Sequence, residues 1–76
     1  MPQTTPKRLN LESVYWIVND VTGIPFEHLT LSTRIDGMHL VRLETQLDVQ
    51  LGAVVTLRQP TMTLGEIMQA LGLLKS

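Results

Sequence analysis

A single helix with apolar residues on two opposite sides most constrains the fold of this chain. It lies in RIDGMHLVRLETQLDVQLG, residues 34–52, and we expect it to begin at Asp36 or Gly37 and to end at Leu51. One row consists of leucines at helical spacing, namely Leu40, Leu43, Leu47 and Leu51. The second row, on nearly the opposite side, consists of Met38, Val41, Thr45 and Val49. The helix is therefore either buried on both sides or exposes the second row, and the leucine row is the better candidate for the core.

Length and composition limit the class of protein. The chain has 76 residues, which is enough for one small domain, and its formal net charge of -1 argues against binding to duplex nucleic acid. It has no cysteine, which excludes disulfides and thiolate metal sites and indicates a reducing compartment. Neither a signal peptide nor a membrane span of ~20 apolar residues is recognisable. We therefore expect a cytoplasmic protein that binds no membrane.

Two further helices are predicted on either side of this one. Asn10 can cap a helix over residues 11–22, which Gly23 ends. Thr63 and Glu66 form a capping box ahead of a last helix. Its apolar stripe is Leu64, Ile67, Met68 and Leu71. Gly65 should weaken this helix by up to ~1 kcal/mol.

The remaining segments are expected to be mostly irregular. Residues 24–36 are apolar enough to help close the core, and a strand there is disfavoured because it would have no partner. A short helical turn is expected near Leu57. The sequence thus predicts an all-α bundle of three major helices and one short helix over residues 10–72. Residues 1–9 would be a flexible lead, and residues 73–76 a tail.

In order and spacing, these pieces resemble the acyl and peptidyl carrier proteins. DGMHLVRLETQLDVQLG is similar to the family's second helix, VxxIVxxVTGI at 14–24 to its first, and PTMTLGEIMQAL at 60–71 to its last. The resemblance covers about residues 10–72 and implies a four-helix acyl-carrier-like bundle without enzymatic activity. Such a domain carries a thioester-bound acyl, aminoacyl or peptidyl group on a 4′-phosphopantetheine arm attached to the serine that opens helix 2.

The resemblance also implies where partners dock. Helix 2 is the face that enzymes such as ketosynthase, acyltransferase and condensation domains recognise, and we expect a monomer. The matching docking residues are Met38, His39, Val41, Arg42, Thr45 and Val49. His39 and Arg42 stand where fatty-acid carriers tend to have carboxylates, so the sequence is more similar to polyketide or nonribosomal-peptide carriers.

The chain departs from the family at Gly37, which occupies the serine position and has no oxygen for a phosphodiester. Two alignments explain this. Either Asp36-Gly37 replaces Asp-Ser after a shortened loop, or a block that ends in the serine is missing before Met38, by natural deletion, by engineering or because the sequence is incomplete. Ser32 is a weak substitute, and Thr33 a weaker one.

Three hypotheses follow. The first is a degenerate or loop-deleted carrier that docks on biosynthetic enzymes without an arm, so that no cofactor is expected on this chain. The second is a functional carrier whose serine loop is absent from this sequence. The third is an unrelated small helical interaction module whose second row self-associates. No metal site is expected, because His28 and His39 have no partners at ligand spacing, and Trp16 should be a partly buried residue of the first helix.

Overall fold

A computed structural model describes residues 9–74 as a mixed α/β fold. The order is α1 (Leu11–Thr22), a 3₁₀ turn (Phe26–His28), β1 (Arg34–Asp36), α2 (Gly37–Leu51), β2 (Thr61–Thr63) and α3 (Leu64–Ala70). The three predicted helices lie where the sequence placed them. None of the helices among the described residues is long and apolar enough to cross a membrane.

The predicted all-α four-helix bundle is wrong, because two short strands form an antiparallel sheet. Arg34 pairs with Thr63, Ile35 with Met62, and Asp36 with Thr61. A strand in the first connection was disfavoured for want of a partner. That partner exists, but it lies beyond α2 and becomes a neighbour only once the chain folds back.

The fourth, short helix near Leu57 is also wrong. Residues 52–60 contain no helix, although Leu57 is buried as a core residue would be. The β-branched run VVT and the following proline disfavour a helical turn here. The backbone N–H of Leu57 instead donates to the carboxylate of Glu44, so a side chain of α2 satisfies a group that a helix would otherwise have satisfied.

The helix ends follow the signals in the sequence. At α1 the side chain of Asn10 accepts from the Ser13 N–H at 2.8 Å, and Ser13 Oγ accepts from the Asn10 N–H at 3.0 Å. Gly23 ends α1 with a left-handed φ of 77°. At α3 the predicted capping box of Thr63 and Glu66 is confirmed.

All three helices and both connections contribute to one core. Its buried side chains are Val14, Ile17, Val18, Leu29, Ile35, Leu40, Leu43, Leu47, Leu57, Met62, Leu64, Ile67 and Met68. The first connection does help close the core, as predicted, through Leu29 and Ile35. Leu9, Leu73 and Leu74 pack against it from the two ends. The rest of the predicted lead and tail, residues 1–8 and 75–76, lies outside the described residues.

The sheet joins the start of α2 to the start of α3. β1 runs directly into α2 and β2 directly into α3. Beyond the paired strands, the N–H of Gly37 donates to the Pro60 carbonyl at 2.8 Å, and the N–H of Gly65 donates to the Leu31 carbonyl at 2.9 Å. These bonds fix the first turns of both helices relative to the sheet.

Candidate functional site on helix α2

The two apolar rows of α2 have opposite environments. Leu40, Leu43 and Leu47 are fully buried, and Leu51 is partly buried at the end of the helix. On the other side Met38 is 77% exposed, Val41 59% and Val49 73%, and Thr45 is exposed as well. The prediction that the leucine row faces the core is confirmed, and of the two alternatives for the second row, exposure to solvent is the one that the structure shows.

The exposed row is bordered by polar groups and by a groove. Arg42 is exposed and His39 is partly buried, and both belong to the predicted docking residues. Val41, Arg42 and Thr45 line a cavity of about 410 Å³ together with Asp20 and Val21 of α1. An exposed apolar row beside a groove, with a cation at its edge, is suited to contact with another protein.

Asp36 caps the start of α2. Its carboxylate accepts from the His39 backbone N–H at 3.2 Å, and the His39 imidazole Nδ1 lies 2.8 Å from the same oxygen. The backbone N–H of His39 lowers the pKa of the Asp36 carboxyl below its ordinary value of 3.8, and the imidazole adds to this effect. His39 is therefore tied to the helix start and contributes to the fold as well as to the predicted docking face.

A side chain at Gly37, at the mouth of α2, would be tightly crowded by neighbouring backbone atoms. A Cβ built on it would lie 3.2 Å from the Gln59 carbonyl oxygen and 3.3 Å from the Pro60 carbonyl oxygen. Both neighbours are backbone atoms, and Pro60 is held in place by the hydrogen bond from Gly37 itself. The residue at this position therefore does not fit a phosphopantetheine arm, because glycine supplies no hydroxyl and a side chain in its place would press on the backbone of Gln59 and Pro60.

The fallback hydroxyl, Ser32, lies away from this junction. It occupies a turn ahead of β1, in which its N–H donates to Thr30 Oγ1 at 3.2 Å and the Thr33 N–H donates to the Thr30 carbonyl at 3.1 Å. Thr33 and the three residues of β1 separate it from α2. Ser32 is exposed, but it is not on the loop–helix junction that a carrier serine occupies.

Glu44 is a structural residue that the sequence did not reveal. Its side chain is only 18% exposed and lies 3.8 Å from Arg58 Nε. Together with the bond from the Leu57 N–H, this contact holds residues 52–60 against the helix. No local signal could have found it, because both partners lie far along the chain.

Among residues 9–74, no group of three or more histidines, cysteines and carboxylates is arranged to hold a metal ion. His28 is exposed in the 3₁₀ turn. Trp16 was predicted to be partly buried, but it is exposed, with 55% of its surface accessible to solvent.

No protein-family model, curated protein or solved structure matches the chain significantly.

Proposed function

We propose that this chain is a carrier-protein-like docking domain that binds biosynthetic enzymes through α2 and carries no phosphopantetheine arm. The observation that supports this most directly is the exposed row of Met38, Val41, Thr45 and Val49 opposite a buried leucine row. A helix that folds only to fill a core has no need of such a row. The partners we propose are ketosynthase, acyltransferase or condensation domains of polyketide, nonribosomal-peptide or fatty-acid type.

The crowding at Gly37 favours an armless domain over a carrier that has merely lost its serine. The N–H of Gly37 donates to the Pro60 carbonyl, and the atoms nearest to a Cβ at Gly37 are backbone atoms of Gln59 and Pro60. A serine introduced there would have to displace them. A loop-deleted chain that has closed its helix mouth in this way would keep the docking face but have no attachment site.

Incubation with coenzyme A and a promiscuous phosphopantetheinyl transferase tests this part of the proposal. We expect the intact mass of the wild-type chain to stay unchanged, and that of Gly37→Ser as well, while a carrier with an intact serine gains one phosphopantetheine. A gain by the wild type would overturn the armless assignment. A gain by Gly37→Ser alone would show that the crowding can be relieved, and would leave the docking proposal standing.

Unfolding in urea reports on the crowding separately. We expect Gly37→Ser to lower the free energy of unfolding by about 1 kcal/mol, the balance of overpacking against a gain in helix propensity. Met38→Ser introduces the same side chain at the next position, where the side chain is exposed, and should change it by less than about 0.5 kcal/mol. Equal effects of the two substitutions would contradict the crowding at Gly37.

Docking is tested by titrating the isotope-labelled chain with isolated ketosynthase, acyltransferase and condensation domains and following its amide resonances. We expect at least one of them to shift resonances of Met38 to Val49, and the double variant Met38→Glu, Val41→Glu to weaken that binding about tenfold or more. Val54→Glu is the matched control, because Val54 is 86% exposed and lies outside α2. Failure of all three domains to bind, or binding that the double variant leaves unchanged, would refute docking through α2.

Self-association of the exposed row is the competing function. Sedimentation separates the two, because the docking proposal expects a monomer, whereas a self-association module would form a dimer that the same double variant dissociates.

A further inference from the structure

The three aromatic side chains Tyr15, Trp16 and Phe26 meet on one surface, formed by α1 and the 3₁₀ turn that follows it. The sequence contains one Trp, one Tyr and one Phe. The rings of Trp16 and Phe26 are stacked, with centroids 4.8 Å apart, and Tyr15 meets Phe26 edge-on at 5.9 Å. We call Leu11, Tyr15, Trp16 and Phe26 the aromatic surface.

Three of the four side chains of the aromatic surface are exposed to solvent, and Tyr15 is partly buried. Trp16 is 55% exposed, Leu11 44% and Phe26 37%. Exposed aromatic and aliphatic side chains that cluster in this way are typical of protein contact sites, where tryptophan in particular supplies much of the binding energy.

Shallow cavities adjoin both members of the stacked pair. One of about 230 Å³ is lined by Leu11, Glu12, Tyr15 and Phe26. The other, of about 250 Å³, is lined by Ser13, Trp16, Ile17, Gln50 and Leu51. A binding partner could therefore insert an apolar side chain on each side of the stacked rings.

The charge around the aromatic surface limits what can bind. Two exposed carboxylates belong to it, since Glu12 follows Leu11 and Glu27 follows Phe26. Glu12 itself lines the first cavity. The carboxylates repel nucleic-acid phosphates and anionic lipids, and they attract cations.

We propose that the aromatic surface binds a basic amphipathic helix of a partner protein. The apolar residues of that helix would occupy the two cavities, and its arginines would pair with Glu12 and Glu27 and stack on the exposed face of Trp16. The aromatic surface shares no residue with the exposed row of Met38, Val41, Thr45 and Val49, although its second cavity reaches Gln50 and Leu51 at the end of α2, so the site differs from the one proposed for enzyme docking.

Trp16 provides the test, because it is the only tryptophan and its fluorescence reports on its own environment. The probe is a synthetic amphipathic peptide of leucine, alanine and arginine, and the control peptide has glutamate in place of each arginine. We expect the basic peptide to shift the Trp16 emission to shorter wavelength in a saturable manner, and added salt to weaken its binding. The acidic peptide should cause no shift.

Variants of the full chain locate the site. The double variant Glu12→Lys, Glu27→Lys should weaken binding of the basic peptide about tenfold or more, while its circular dichroism stays that of the wild type. Met38→Glu with Val41→Glu should leave this binding unchanged, whether or not docking through α2 is correct. The proposal is overturned if the basic peptide does not bind, if both peptides bind equally, or if the charge-reversed variant binds as the wild type does.

Discussion

At the scale of single residues, two glycines at helix starts have a structural reason that cannot be recognised from the sequence. Gly65 looked like a defect in α3, yet a Cβ there would lie 3.2 Å from the Leu31 carbonyl oxygen, to which its own N–H is bonded. Gly37 has the same relation to Pro60 at the start of α2. Both residues let a helix begin against the backbone of another segment, so the cost in helix propensity is offset by close contact with a second chain segment.

The cap at Asp36 gives a pH dependence whose sign follows from its lowered pKa. Because the carboxyl is more acidic in the folded chain than in the unfolded one, its ionised form stabilises the fold above the ordinary value of 3.8. That contribution is lost as pH falls through the folded-state pKa. Asp36→Asn should therefore be less stable than the wild type near neutral pH and equally stable in acid.

Urea unfolding of both proteins at about pH 6 and about pH 2 measures this difference. If the difference in the free energy of unfolding between wild type and variant were the same at both pH values, the charge of Asp36 would not stabilise the fold through its bonds to His39.

At the scale of elements, residues 52–60 are the least regular part of the described chain and depend on α2 for their position. Leu57 is 1% exposed, and its N–H is bonded to the Glu44 carboxylate. Glu44→Ala leaves that buried N–H without its partner, so we expect a loss of about 2 kcal/mol in the free energy of unfolding. Urea unfolding measures the loss, and hydrogen exchange at the Leu57 amide should become faster.

Asp48→Ala is the matched control, because Asp48 lies one turn further along the same flank of α2 and is exposed. It should change stability by less than about 0.5 kcal/mol. If Glu44→Ala also changed the free energy of unfolding by less than about 0.5 kcal/mol, the contact of Glu44 with Leu57 would not be what holds residues 52–60 against α2.

At the scale of the whole molecule, one core joins α1, α2, α3 and the two connections. The sheet also links the starts of α2 and α3. Unfolding of either helix would therefore break the hydrogen bonds that hold the start of the other. We therefore expect unfolding to be a single cooperative transition. Circular dichroism, which follows all helices, and Trp16 fluorescence, which follows α1 and its contact with Phe26, should give coincident urea curves.

Leu43→Ala sharpens this test, since Leu43 is fully buried. It should lower the free energy of unfolding by about 3 kcal/mol, and by the same amount whether this is measured by circular dichroism or by fluorescence. An early fluorescence transition would mean that α1 unfolds by itself.

Local signals in the sequence determined the helices and much of the candidate site. Spacing and caps fixed α1, α2 and α3, because both depend on residues within a few positions of each other. The same spacing separated the buried leucine row of α2 from the exposed Met38 and Val49.

Only the tertiary structure decided what depends on residues far apart in the chain. The pairing of β1 with β2, the bond from Leu57 to Glu44 and the contact of Gly37 with Pro60 each join segments that have no signal for one another. So does the stacking of Trp16 on Phe26 across the end of α1. Periodicity shows which face of an element is apolar, but what that face meets, and whether it stays exposed, is determined by how the chain folds back on itself.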